Sequence, residues 1–288
     1  MSSTPAPTPL GSRHSQWGEG PVWLGSKLLY VDIKGHALVT WDPATAREES
    51  FPVGQEVGFV VPTTSGDWIW GGDLGLYRFK PATGQSTPWL DPESHLPDHR
   101  FNDGKVSPDG RLFAGSMSKK RETGSATLYR FDPDGSCHAV FPGVTVSNGL
   151  AWSADASTLY YIDTPRREVL RFEYDSRTGS ILNPSTAFST ASIDASPDGM
   201  CIDTEDNLWI TFCHGGCVIQ WDPRTGKPLQ RIDFPCVETT SCAWGGIHLD
   251  ELYITSGIHA QKVEPHAGSL FRVTGLNTRG AAPILFPG

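Results

Sequence analysis

Four side chains that carry oxygen atoms occupy similar places in separate parts of the chain: Glu19, Asn102, Asn148 and Asp198. Carboxylate and amide oxygens are the ligands that hard divalent cations such as Ca²⁺, Mg²⁺ and Mn²⁺ prefer, and Zn²⁺ also accepts carboxylate oxygen. If the fold brings these side chains together, their chemistry predicts a site for one divalent metal ion.

A turn is the competing interpretation of each occurrence, because Asn-Gly and Asp-Gly pairs are common in tight turns. Two features favour a site. The four residues lie at nearly the same distance along the chain before the aromatic residue of a strand pattern. The ordinary hairpin turns lie at a different distance from that aromatic residue. Glu19 lies between Gly18 and Gly20, where a turn has no use for a glutamate.

A repeated strand pattern must position these residues. Each copy centres on one aromatic side chain, and the intervals between successive copies are 40, 43, 48, 48 and 44 residues, for Tyr30, Trp70, Phe113, Tyr161, Trp209 and Tyr253. Such a period is typical of a four-stranded propeller blade. Turn residues precede the aromatic strand in five of the copies, and in four a later strand ends before proline, which cannot donate to a sheet ladder.

We therefore predict an all-β fold, a six-bladed β-propeller with four antiparallel strands per blade. A β-sandwich is the alternative, but a sandwich does not need one unit repeated at a near-constant period. In a propeller the innermost strand of every blade starts at the same end of the central channel, so equivalent residues form a ring at its mouth. Counting back from the aromatic positions places Phe59 and Cys242 at the two remaining ring positions.

Composition limits the partners. The net charge is −9, and no cluster of Lys or Arg offers a surface for phosphates, so nucleic acid is not an expected partner. No apolar stretch approaches the ~18 residues of a membrane span and no signal peptide is recognisable, which predicts a cytoplasmic protein without a membrane partner. The six cysteines are sparse and predict reduced, buried thiols.

The motifs around the ring positions resemble those of the regucalcin and gluconolactonase family, also called the senescence-marker and luciferin-regenerating group. The resemblance runs from Glu19 onward and rests on GEGPVW at residues 18–23, RFNDGK at 100–105, SNGL at 147–150, PDGMCID at 197–203 and TSC at 240–242. It implies the same six-bladed propeller. It also implies that Glu19, Asn148 and Asp198 hold the metal, that Asp198 also activates water, and that Arg100 and Asn102 hold the sugar's hydroxyls.

The resemblance further implies an acidic residue on the loop that follows the Phe113 strand. Glu122 is the candidate for this substrate-binding position, and Lys120 is the alternative, because loop lengths differ among relatives.

Two segments have more than one interpretation, the first in how the ring is closed and the second in whether it binds zinc. Residues 1–13 are predicted to be a disordered or extended segment before a single propeller domain at 14–288, and the ring is closed either by residues 14–17 or by a strand at 283–286. Cys213, His214 and Cys217 invite a zinc interpretation, but their spacing is not a standard pair and no second pair follows. A strand and hairpin is favoured there.

The resemblance implies a metal-dependent lactonase that hydrolyses a sugar (aldono)lactone to the aldonic acid, with one divalent ion (Ca²⁺, Zn²⁺, Mn²⁺ or Mg²⁺) as cofactor and the lactone as partner. The cation polarises the carbonyl, and Asp198 accepts a proton from the attacking water. No Gly-x-Ser-x-Gly elbow occurs, so serine hydrolysis is disfavoured. The alternatives are a non-catalytic Ca²⁺-binding propeller and a metal-dependent esterase or phosphotriesterase.

Overall fold

A computed structural model describes residues 5–288, and nearly all regular structure in it is β-strand. The only helix in this range is a short 3₁₀ turn, Thr164–Arg166, and no helix of the described chain has the length and apolar character needed to cross a membrane. The strands, in chain order, are β1 (Thr8–Leu10), β2 (Gly18–Trp23), β3 (Leu28–Asp32), β4 (Ala37–Asp42), β5 (Arg47–Pro52), β6 (Val57–Pro62), β7 (Trp68–Gly72), β8 (Gly75–Lys80), β9 (Gln85–Leu90), β10 (His99–Val106), β11 (Leu112–Ser118), β12 (Ala126–Phe131), β13 (Cys137–Val144), β14 (Ser147–Trp152), β15 (Thr158–Asp163), β16 (Glu168–Asp175), β17 (Ser180–Ser189), β18 (Ser196–Ile202), β19 (Leu208–Cys213), β20 (Cys217–Asp222), β21 (Lys227–Asp233), β22 (Thr239–Gly245), β23 (Glu251–Ser256) and β24 (Leu270–Val273).

The strands form six antiparallel sheets of four, which confirms the predicted six-bladed propeller. Blades 1 to 5 each use four consecutive strands, from β2–β5 to β18–β21, and blade 6 combines β22, β23 and β24 with β1. The innermost strands β2, β6, β10, β14, β18 and β22 contact one another in a closed circle around the channel.

The ring is closed by β1, which pairs antiparallel with β24 from Thr8↔Arg272 to Leu10↔Leu270. Neither of the two segments considered from the sequence is this strand. Trp17 forms only a single bridge, to Gly257, and Phe286 bridges Thr63 in blade 2. The closing strand has just three residues, too few for a visible alternation of apolar and polar side chains. Residues 1–4 of the predicted N-terminal segment lie outside the described chain.

The core lies between neighbouring blades, and the repeated aromatic residues anchor it. All six are at most 2% exposed, namely Tyr30, Trp70, Phe113, Tyr161, Trp209 and Tyr253. Burying one such side chain contributes about 1.5 to 3 kcal/mol. The predicted turns are present too, since Gly25, Gly66 and Gly110 adopt left-handed backbone angles. All six cysteines are free thiols, as predicted, and five of them are buried.

Every innermost strand is irregular at the same end of the channel. A register shift interrupts its pairing with the second strand of the blade, between Glu19 and Val22, Val57 and Phe59, Phe101 and Asp103, Asn148 and Leu150, Pro197 and Met200, and Thr239 and Ser241. A bulge of this kind redirects side chains away from the regular alternation. The six bulges therefore surround one mouth of the channel.

Candidate metal and substrate site

Three acidic side chains from three blades meet at this mouth: Glu19 on β2, Asp103 on β10 and Asp198 on β18. Their exposed fractions are 6%, 7% and 6%, and Asn148 on β14 is 5% exposed. None of the three acids forms a salt bridge with a Lys or Arg of the described chain. Buried carboxylates are costly unless they are paired with a cation or hydrogen-bonded, so this cluster calls for a positive charge.

The electrostatics agree with that conclusion. Burial raises the pKa of Glu19 well above its ordinary value, and the charges of Asp198 and Asp103 raise it further. Burial likewise raises the pKa of Asp198, reinforced by Asp103 and opposed by the neighbouring Asn148. Burial also raises the pKa of Asp103, against the lowering effect of Lys105. Asp198 and Asp103 act on Glu19, and Asp103 acts on Asp198, because these carboxylates lie close together.

Asn148 is held by a small polar chain. Its Nδ2 donates to Thr164 Oγ1 at 3.0 Å, and Thr164 Oγ1 in turn donates to the Pro197 carbonyl at 3.0 Å. Thr164 opens the 3₁₀ turn after β15 and so ties β14 to β18, next to Asp198. The arrangement fixes the amide plane of Asn148. Such outer contacts are what orient a metal ligand in known sites.

The predicted substrate residues lie on the same side. Arg100 begins the bulged end of β10, where its Nε pairs with Glu56 Oε2 at 3.1 Å and its charge acts on Glu19. Burial lowers the Arg100 pKa, and Glu56 opposes this. Asn102 lies in the bulge itself and donates from Nδ2 to the Ser147 carbonyl at 2.6 Å, beside Asn148. Both residues therefore border the acidic cluster.

The loop after β11 carries Glu122, the predicted substrate-binding candidate, beside Lys120 and Arg121. Glu122 is exposed, and Lys120 forms an exposed ion pair with Asp98. The residue whose charge reaches the site is Arg121, which lowers the pKa of both Asp198 and Arg100. Arg121 has a left-handed backbone, with φ at 55°. Arg121 is itself exposed, and sequence reasoning missed it because a loop of unknown path does not indicate which of three charged neighbours acts on the site.

Asp103 has two kinds of contact in the structure, one with its own backbone turn and one with the acidic cluster. Its Oδ1 accepts a hydrogen bond from its own turn, from Gly104 N at 2.7 Å. It is also buried and acts electrically on Glu19 and Asp198. Asp103 directly follows Asn102 in the sequence. That both residues lie at the site depends on the bulge at Asn102, which the sequence alone does not reveal.

Two ring positions deviate from the counting rule. The register shift of blade 2 falls at Gly58 and that of blade 6 at Thr240. Phe59 instead packs in the core, with its ring centroid 6.3 Å from that of Phe101. Cys242 lies deeper in the channel, where it lines a cavity of about 210 Å³. The bulges shift these strands by a residue or more, which a fixed offset ignores.

The opposite end of that cavity is covered by residues 281–284. Phe286, just beyond, is fully buried in the cluster between blades 2 and 3. The C-terminal segment therefore covers the far mouth of the channel, and the acidic cluster is approached from the bulged mouth.

Comparison with known proteins identifies the family and the fold. Residues 17–258 match the profile described as the SMP-30/Gluconolactonase/LRE-like region. Regucalcin of Danio rerio is 41% identical over 280 residues, which cover 94% of this chain and 95% of that protein.

Two solved structures superpose over nearly the whole chain. A luciferin-regenerating enzyme gives a TM-score of 0.92 at 28% identity, covering 99% of this chain and 100% of that one. A regucalcin of Agrobacterium tumefaciens, described as a calcium-binding protein, gives 0.90 at 26% identity, covering 98% and 95%.

Proposed function

The chain belongs to the SMP-30/gluconolactonase/LRE-like family, and from that premise we propose that it is a metal-dependent lactonase that opens a sugar (aldono)lactone to the aldonic acid. The observation that carries the proposal is the meeting of three buried acids without a Lys or Arg salt bridge at one mouth of the propeller.

Glu19, Asn148 and Asp198 are the proposed metal ligands. Their donor set is oxygen only and carries two negative charges when both acids are ionised, which fits one divalent cation such as Ca²⁺, Mg²⁺, Mn²⁺ or Zn²⁺. The raised pKa values of Glu19 and Asp198 support this fit, because the cation supplies the countercharge that no Lys or Arg salt bridge provides. Thr164 holds Asn148 in place.

Arg100 and Asn102 are the proposed sugar-binding residues, joined by the loop that carries Arg121 and Glu122. The guanidinium of Arg100 is fixed by Glu56 and by the Phe101 carbonyl, to which its Nη1 donates at 2.9 Å. A donor fixed in this way can bind a hydroxyl at little entropic cost. The Asn102 amide donates to the Ser147 carbonyl, next to Asn148 in the chain.

The chemistry needs one base and one electrophilic centre. A bound divalent cation polarises the lactone carbonyl and stabilises negative charge on its oxygen. The carboxylate of Asp198 accepts a proton from water as the water oxygen bonds to the carbonyl carbon. The ring C–O bond then breaks and its oxygen is protonated, giving one carboxylic acid and one hydroxyl. A well-placed base of this kind contributes ~10²–10⁴-fold to rate.

A non-catalytic calcium-binding propeller is the second candidate, favoured by the Agrobacterium relative described as a calcium-binding protein. The same acidic cluster suits that role. The two candidates differ in one outcome only, the turnover of a lactone by the metal-loaded protein.

The test is lactone opening in a weakly buffered solution. Protein stripped of metal and then given Ca²⁺, Mg²⁺, Mn²⁺ or Zn²⁺ is expected to acidify gluconolactone or xylonolactone faster than the buffer with the same ion. Binding of metal without faster acidification favours the calcium-binding protein. Turnover of paraoxon or a simple ester in place of every lactone favours the esterase.

Asp198→Asn is the matched variant. It is expected to lower kcat/KM by at least about 10²-fold, since the base is lost. The loss is not a folding defect if the metal-free variant unfolds at the same or a higher temperature than the metal-free parent, because the change removes one of three mutually repelling buried charges.

A further inference from the structure

A second group of side chains with metal-binding chemistry borders the oxygen site described above, close enough that the charge of Asp198 acts on Cys213 and that of Glu238 acts on Asp198. Cys213 ends β19, His214 follows it, and Glu238 immediately precedes β22. One ligand atom from each of the three lies within 4.8 Å of the others. Cys217, the second cysteine of this hairpin, is not part of the group and packs instead in the core between blades 4 and 5.

The backbone brings Cys213 and His214 to the same side. Successive residues of a strand point to opposite faces, so neighbours normally diverge. His214 has a φ of 67°, a left-handed angle that non-glycine residues adopt only rarely. Both side chains therefore face Glu238, which also accepts a hydrogen bond from His214 N at 3.0 Å.

The distances between the sulfur, nitrogen and oxygen atoms of this group are close to those between the ligands of a tetrahedral metal ion. Cys213 Sγ lies 3.0 Å from Glu238 Oε2, His214 Nδ1 lies 2.9 Å from Glu238 Oε1, and Sγ lies 4.0 Å from Nδ1. Ligands of tetrahedral zinc are separated by about 3.3 to 3.6 Å, given the usual Zn–N and Zn–S bond lengths. Cys213 and His214 contact different oxygens of Glu238, so binding one cation requires the carboxylate to rotate and present one oxygen beside both Sγ and Nδ1.

Charge favours a cation as well. Glu238 is 1% exposed and forms no salt bridge with a Lys or Arg of residues 5–288, its only basic partners being His214 and His259. The Gln261 N–H donates to His259 Nδ1 at 3.0 Å, so the ring proton of neutral His259 is on Nε2, which faces Glu238 Oε1 at 3.8 Å. At this distance His259 lies beside the carboxylate without a direct hydrogen bond to it.

We propose that Cys213, His214 and Glu238 form a second metal site, for a borderline cation of the Zn²⁺ type, with three protein ligands and a fourth position for water. Binding releases the thiol proton of Cys213 to solvent, and the thiolate and Glu238 then balance the two positive charges. His214 is about half exposed and provides the route of entry. The thiolate and imidazole select against the hard cations that suit the oxygen site.

The test uses Co²⁺ as the probe, because a Co²⁺–thiolate bond gives an ultraviolet charge-transfer band that oxygen ligands do not give. Full-length protein stripped of metal is expected to develop this band on titration with Co²⁺, and Zn²⁺ is expected to abolish it by displacement. Cys213→Ser is expected to remove the band while keeping the parent's circular dichroism spectrum.

Two controls separate this site from the oxygen site. Cys137→Ser changes a cysteine far along the chain, in blade 3, and Asp198→Asn disables the proposed lactonase site; both are expected to keep the band. Absence of the band in folded parent protein, or its survival in Cys213→Ser, overturns the proposal. Because the readout is spectroscopic, it tests the proposed second metal site independently of lactone turnover.

Discussion

At the scale of single residues, the candidate site consists of buried acids whose negative charges are destabilising unless a cation is bound. Burial raises the pKa values of Glu19 and Asp198, and the charge of Asp103 raises both further. A group whose pKa is higher in the folded than in the unfolded state stabilises the fold at pH values below the unfolded pKa, and this contribution is lost as pH rises through the folded pKa.

This sign gives a prediction for the metal-free protein. Its unfolding temperature is expected to rise as pH falls from 8 toward the ordinary glutamate value of 4.5, apart from the opposite contributions of surface acids. Asp198→Asn is expected to reduce this slope, since one of the titrating groups is gone. Thermal unfolding of both proteins in chelator at several pH values measures the difference. Equal slopes in the two proteins would contradict the assignment.

A divalent ion is expected to reverse the trend. Protons compete with the cation for the carboxylates, so stabilisation by added Ca²⁺ or Mn²⁺ should be larger at pH 8 than at pH 5. The measurement is the shift in unfolding temperature at a fixed ion concentration.

The loop after β11 allows a second test at residue scale. Arg121→Ala is expected to raise KM for the lactone several-fold, because its charge acts on Asp198 and Arg100. Lys120→Ala is the matched control, since Lys120 pairs with Asp98 at the surface and is expected to change KM little. Glu122→Ala tests the residue implied by family resemblance; a KM increase there with none in Arg121→Ala would reverse our assignment of the loop.

At the scale of elements, the glycines beside the site residues are needed mainly because they have no side chain, and less because of the backbone angles that they allow. A glycine follows within two residues of each of the four oxygen-bearing ring residues, namely Glu19, Asn102, Asn148 and Asp198. Of these, only Gly20 has a left-handed backbone. A Cβ added to Gly199 would lie 2.6 Å from Ser241 Cα, and one added to Gly149 would lie 2.8 Å from the Asp198 carbonyl. These glycines therefore let neighbouring innermost strands approach each other.

Gly199→Ala tests this packing. The added methyl group is expected to push β18 away from β22 and displace Asp198, lowering both kcat/KM and metal affinity by at least about tenfold, as a misplacement near 1 Å does. Gly25→Ala is the control. It strains a left-handed turn at a place with open space around the added atom, so it is expected to lower stability by about 1 kcal/mol and leave kcat/KM unchanged. Similar losses of activity in both variants would refute the argument.

At the scale of the whole molecule, three residues close the ring. Deleting residues 1–10 removes β1 and leaves β24 as an unpaired edge. Edges of this kind promote aggregation, and each lost ladder bond costs about 0.5 to 1.5 kcal/mol. The deletion is expected to lower the unfolding temperature and to increase aggregation on heating, as followed by light scattering. Deletion of residues 1–7 keeps β1 and is the comparison; equal effects of the two deletions would argue against ring closure by β1.

What the amino-acid sequence determined by itself is the repeat and its consequences. Aromatic residues such as Trp70 and Trp209 recur because every blade buries one against its neighbour, and that local requirement is visible without a structure. The fold class, the number of blades and the motifs around Glu19, Asn148 and Asp198 follow from it. These features are periodic, and a period can be read along the chain.

Only the tertiary structure decided what depends on contacts between distant, non-repeating segments. The three-residue strand β1 is too short to carry a pattern, yet it has a partner in Leu270–Val273. The charge of Arg121 acts on Asp198 because of the path that its exposed loop takes. Glu238 meets His214 because a left-handed residue breaks the alternation of a strand. Bulges, loops and single backbone angles have no period, so their effect on side-chain direction appears only once the chain is folded.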